Sequence, residues 1–131
     1  MKALDTNVVV RFLVRDDEAQ ARRVKALFQR AEDASERYFL TTASVLELIW
    51  VLTAVYDFAR AEVIEALELL SQMSILEFED FDVVSQLVRL GRDTNVDLPD
   101  LVIGLTGRAG GCETTLTFEK GLEQTALFVR I

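Results

Sequence analysis

Short apolar runs alternate with longer stretches of helical periodicity along almost the whole chain, and this alternation narrows the possible folds more than any other feature. Apolar runs of about four or five residues occur at Met1–Leu4, Tyr38–Thr42, Ile75–Phe78, Thr114–Phe118 and Leu127–Ile131. Between them lie segments whose apolar residues recur at helical spacing. Val8–Val14 is one, and a second begins at Asp16-Asp17-Glu18, an acidic first turn, with Ala21, Val24, Leu27, Phe28 and Ala31 on one face. Ser44–Tyr56 is apolar on nearly every side, so the spacing predicts a helix that is central or covered by a partner subunit, with Trp50 in core or interface. Ala61–Met73 and Asp82–Asp93 are amphipathic, and Asp97-Leu98-Pro99-Asp100 opens a further helix that the glycines from Gly107 to Gly111 break. Strands alternating with helices predict an α/β fold with a parallel sheet wrapped by helices.

The 131 residues predict a single domain, 1–131, large enough to bury a core. No secretory signal is expected, because Asp5 interrupts the N-terminus, and the apolar run around Glu47 is too short to cross a bilayer. Cys112 is the only cysteine and has no partner for an intramolecular disulfide. A soluble, cytoplasmic protein with no membrane association is the expectation.

Histidine is absent. That excludes a Ser-His-Asp triad, a Cys-His pair and any His-containing metal site. Chemistry in this chain falls to carboxylates and to a hard, oxygen-seeking cation. The net charge of −8 argues against a generic nucleic-acid binder. The charge is uneven, however: bases slightly outnumber acids up to Ser35, through Arg11, Arg15, Arg22, Arg23, Lys25 and Arg30. Those residues read either as a solvated helix face or as a surface for phosphate or a partner.

Four acids stand at element boundaries. Asp5 ends the first strand, Glu47 lies one turn into the helix after the second, Asp100 begins the helix at Pro99, and Glu119 follows the strand 114–118. Each has a local explanation. Ser44-x-x-Glu47 has the spacing of a capping box, Asp97 is placed to cap the helix of Asp100, and Glu119 suits a turn. Jointly they point elsewhere, because the carboxyl ends of parallel strands lie on one edge and ligands bind there in open α/β sheets. Converging carboxylates repel unless a cation neutralises them, and an all-oxygen set favours Mg²⁺ or Mn²⁺. Such a site suits phosphodiester hydrolysis, with the metal activating water and stabilising the in-line transition state.

The segments Leu-Asp-Thr-Asn at 4–7, Ser-Val-Leu-Glu-Leu at 44–48, Asp-Leu-Pro-Asp-Leu-Val-Ile at 97–103 and Thr-Phe-Glu-Lys at 117–120 resemble the PIN-domain family. Within it, they resemble the small VapC-type ribonuclease toxins of bacterial type II toxin–antitoxin pairs. The resemblance implies a three-layer α/β/α fold with a short central parallel sheet, a homodimer, an RNA substrate and a cognate antitoxin. It implies Asp5, Glu47 and Asp100 as the acids that bind the metal and carry catalysis. Glu119 would be the fourth, at a position where the family commonly has Asp. Thr6, Asn7, Ser44 and Asp97 would support them. Two other readings stay open: a non-catalytic dimeric interaction domain, and an aspartate-based phosphatase or phospho-acceptor domain with Asp5 as nucleophile. Against the phosphatase, Asn7 stands where a second acid is required.

Overall fold

The computed structural model describes residues 1–131, which form two compact units, Met1–Phe81 and Asp82–Ile131. The first unit is built on three parallel strands, β1 (Lys2–Ala3), β2 (Tyr38–Leu40) and β3 (Leu76–Phe78), in the order β1-β2-β3. The register pairs Ala3 with Phe39, and Phe39 with Glu77. Backbone bonds extend both ladders past the strand ends, from Leu4 N–H to the Phe39 carbonyl and from Glu79 N–H to the Leu40 carbonyl, each 2.9 Å. Because the strands run the same way, Asp5, Thr41 and Glu79 all leave the sheet at its carboxyl edge.

Helices connect the strands, as parallel pairing requires: α1 (Thr6–Leu13) and α2 (Glu18–Asp33) before β2, then α3 (Thr42–Ala54) and α4 (Arg60–Ser71) before β3. The expected acidic start of α2 is present, with Asp17 accepting from Gln20 N–H at 3.0 Å. In α3 the residues Val45, Leu48, Ile49 and Leu52 follow the i, i+3, i+4, i+7 pattern, and all four are buried. Each such side chain contributes about 1.5–3 kcal/mol on leaving water. The opposite face is also apolar but open: Trp50 is 62% exposed, so it is not a core residue of this chain. Periodicity could not separate these cases, because both faces of the helix read as apolar.

The second unit holds α5 (Phe81–Asp93, its first residue at the boundary), α6 (Leu98–Ala109), and a two-stranded parallel sheet of β4 (Thr115–Thr117) and β5 (Phe128–Arg130). The expected parallel pairing is thus present, in two separately hydrogen-bonded sheets. α6 ends inside the expected Gly107–Gly111 segment, at Ala109, with Gly107 itself still within the helix. A Cβ at Gly104 would lie 2.9 Å from two ring carbons of Phe128, and one at Gly107 would lie 3.0 Å from Thr115 Oγ1. These glycines are sites of close approach, and the helix ends later, where Gly111 takes φ +92°.

Candidate active site

Asp5 follows β1 and occupies the N-cap of α1 with extended backbone angles, φ −77° and ψ 153°. Its Oδ1 accepts from Thr6 N–H at 2.8 Å. Asp5 therefore performs the capping itself, with one oxygen, and the second oxygen makes no hydrogen bond. Thr6 is buried, whereas Asn7 and the Asp5 side chain are exposed.

The start of α3 differs from the expected capping box. The N-cap is Thr41, whose Oγ1 accepts from Ser44 N–H and donates to Ser44 Oγ, both at 3.0 Å. Ser44 is inside the first turn rather than ahead of it. Glu47 accordingly sits in the second turn, where no free N–H remains for it to cap. The local explanation for Glu47 is gone, and its carboxylate is exposed. A residue missed in the sequence completes this end of the helix: Glu79, just beyond β3, accepts from Thr42 N–H at 2.9 Å. The same rule that singled out Glu119, an acid directly after a predicted strand, would have found it.

In the second unit Asp97 occupies the N-cap of α6 but makes no capping bond through its side chain. The expected cap is absent, and Asp97 is exposed. Asp100, one turn on and half-buried, is held above the usual carboxylate range, first by burial and then by repulsion from Asp97. Of the predicted acids, these two are within electrostatic reach of one another. Glu119 follows β4 and is exposed, its N–H bound to Thr117 Oγ1 at 3.0 Å. No three Cys, Asp or Glu side chains are grouped so as to hold a metal ion. The donor chemistry nonetheless suits a hard cation. Asp97 is an oxygen donor with no other task, beside a carboxylate that lacks a neutralising charge.

Arg11 is not available to a phosphate. Its Nη1 donates to Asp16 at 2.7 Å and to the Tyr56 hydroxyl at 3.0 Å, and Tyr56 donates to the other Asp16 oxygen at 2.9 Å. The Tyr56 hydroxyl and the nearby aspartates raise the guanidinium's pKa further. Arg22, Arg23, Lys25 and Arg30 on α2 are exposed and make no ion pair. Cys112 is a free, exposed thiol. No helix is long and apolar enough to cross a membrane.

No curated protein matches the chain. The family model that does match is the PIN domain, generally a nuclease fold whose enzymes use divalent metals such as Mg²⁺. It covers residues 2–127, from β1 into the segment before β5, and so runs through both compact units and all four boundary acids. The mixed α/β content, the parallel strands and the six α-helices agree with the three-layer α/β/α fold expected of it. The chain belongs to the PIN domain family.

Proposed function

We propose that residues 1–131 act as one metal-dependent endoribonuclease domain, the toxin of a toxin–antitoxin pair, working in the cytoplasm as a homodimer. The observation that carries this reading is the state of Asp97 and Asp100. One carboxylate stands at a helix N-terminus without capping it, and its neighbour is pushed toward protonation, first by burial and then by repulsion from the first. Asp5, Glu47, Asp100 and Glu119 would hold Mg²⁺ or Mn²⁺, with Thr6, Asn7, Ser44 and Asp97 in support. Bound there, the ion supplies a Lewis acid that activates water and stabilises charge on the phosphodiester. The chain's own part is to hold the acids still. Thr41 and Glu79 fix the first turn of α3 ahead of Glu47, and Thr117 fixes the backbone at Glu119.

The absence of histidine predicts hydrolysis without attack by the 2′-hydroxyl, giving 5′-phosphate and 3′-hydroxyl ends. The test is cleavage of structured and unstructured RNA with Mn²⁺, with Mg²⁺ and with EDTA, for the parent chain and for Asp5→Asn and Asp100→Asn. Cleavage that persists in EDTA, or cyclic phosphate ends, would refute the mechanism. The toxin role is tested by induced expression. Growth arrest should need Asp5 and be relieved by a small protein encoded in the adjoining reading frame.

A second reading, a non-catalytic interaction domain, draws on the exposed apolar side chains Trp50 and Val55 of α3. An Asp5→Asn chain as harmful to growth as the parent would favour it.

A further inference from the structure

We propose that Phe118 is a stacking platform for an unpaired RNA base, with Lys120 and Arg130 as the cations for the adjoining phosphates. The proposal rests on the nuclease reading, which brings RNA to Glu119. Phe118 is the most exposed large hydrophobic side chain in the protein, with 79% of its surface open. An aromatic ring left so exposed is unexplained by packing within the chain.

The ring's attachment is nevertheless held in place. On one side β4 is paired to β5, with Thr117 in register with Arg130 and Ile131 N–H donating to the Thr117 carbonyl at 2.9 Å. On the other side Glu119 N–H is bound to Thr117 Oγ1, and the chain then turns through Gly121 at φ +102°. Ring, acid and cation are thus consecutive at 118, 119 and 120, at the carboxyl edge of two parallel strands. Arg130 enters the same edge from β5. Its only ion pair, with Glu123, is 4.0 Å long and solvent-exposed, so it competes weakly with a phosphate.

A nucleotide carries the chemistry that suits the ring and the two cations. Its base offers a π face to the ring, and its phosphates offer charge to Lys120 and Arg130. A protein partner would fit the neighbouring apolar side chains Leu116 and Val129, but it would leave those cations facing an apolar contact. Base stacking on an aromatic side chain is sequence-tolerant, so the preference is for single-stranded segments rather than for a given base.

The test uses the full chain with a fluorescein-labelled, mixed-sequence single-stranded oligoribonucleotide. Binding is read by anisotropy in the Asp5→Asn background, and KM and kcat are read in the active chain, with Phe118 replaced by Leu or Tyr. Phe118→Leu should weaken binding about tenfold, within the roughly 5- to 150-fold expected for one stacked base. KM should rise in step while kcat stays within about twofold, and Phe118→Tyr should restore both. The slope of log affinity against log salt should not change, because no charge is removed. Lys120→Gln should instead flatten that slope.

If the parent cleaves RNA and Phe118→Leu matches it, the proposal is wrong and the nuclease reading stands. Equal damage from Leu and Tyr also overturns it. So does a concentration-dependent dimer that only Phe118→Leu dissociates with RNA binding intact, which would assign the ring to self-association. If the parent neither binds nor cleaves RNA in Mn²⁺, both readings fail together.

Discussion

Gly104→Ala gives the sharpest test of how α6, the helix that begins at Asp97 and Asp100, is seated. Two effects of opposite sign act at this position. Glycine inside a helix is less favourable than alanine by about 0.8–1 kcal/mol, so propensity alone predicts a more stable protein. The added methyl, however, would stand 2.9 Å from Cε2 and Cζ of Phe128 and 3.0 Å from Leu127 Cβ. Carbon atoms pack best at about 3.5–4.0 Å, so the methyl intrudes on three atoms at once. Phe128 and Leu127 are both buried, which leaves the ring no open space into which to swing. Overpacking of this kind costs about 1–3 kcal/mol. The clash outweighs propensity, and the net loss is about 1 kcal/mol, or roughly 4 °C in melting temperature for a chain of this size. Urea unfolding of the parent and of Gly104→Ala measures it. A companion Phe128→Leu pair isolates the contact, since alanine should be better tolerated once the ring is gone. A Gly104→Ala protein that is about 1 kcal/mol more stable than its parent would refute the close approach of α6 to Phe128.

Asp100 sets a pH dependence of definite sign. Its folded pKa is above the ordinary 3.8, so the folded state holds the proton longer, and this group's contribution to stability declines as pH rises from 3.8 through the folded value. Asp97→Asn removes one of the two causes and should shrink that decline in urea melts across the acidic range; an unchanged profile would contradict the coupling. Thr41→Ala should cost about 1 kcal/mol by removing the cap of α3, and Glu79→Gln, which keeps an acceptor for Thr42 N–H, should cost less than Glu79→Ala. Arg11→Met should lower the melting temperature yet leave the salt slope of RNA binding unchanged, because Arg11 is committed to Asp16 and Tyr56. An Arg22→Gln, Arg23→Gln protein should flatten that slope without a comparable loss of stability.

The element order could be read from the sequence because each segment carries its own period, and the elements fall within a few residues of where that period places them. What could not be read is set by contacts between segments. Thr41 and Ser44 are equally good caps on paper. β2 ends at Leu40, and Glu79 arrives from β3 to accept from Thr42 N–H, so the helix starts three residues earlier than the capping-box spacing implies. Gly107 looks like a helix breaker in isolation, and only the approach of Thr115 shows what it is for, as that of Phe128 does for Gly104. Exposure of Trp50 and Phe118 is likewise invisible to periodicity, since a helix apolar all round and an alternating strand give no sign of which apolar side chains stay outside. The acids at 5, 47, 100 and 119 could be singled out because strand ends and helix starts are readable. Which of them had spare capacity could not be judged before the capping bonds were known.

One of those bonds was decided by the sequence after all. An N-cap carboxylate accepts from the N–H of the second or third helical residue. After Asp97 these are Pro99 and Asp100, and Pro99 has no N–H. The proline that marks the helix start therefore removes one of the two donors that an N-cap ordinarily uses, and the other belongs to a residue whose own negative charge repels Asp97. Asp97 is left uncapped and available to a cation. Pro99→Ala tests this directly. It restores the donor, and a new cap would add about 0.5–2 kcal/mol, while loss of the proline's restraint on the unfolded chain takes back about 0.4–1 kcal/mol. Metal-free stability should change little. Stabilisation by Mn²⁺, read as the rise in melting temperature on titration, should fall, because Asp97 would then be engaged by the backbone. If Pro99→Ala raises metal-free stability and leaves the Mn²⁺ increment as large as in the parent, Asp97 has no part in holding the cation, and the pair at the head of α6 needs another explanation.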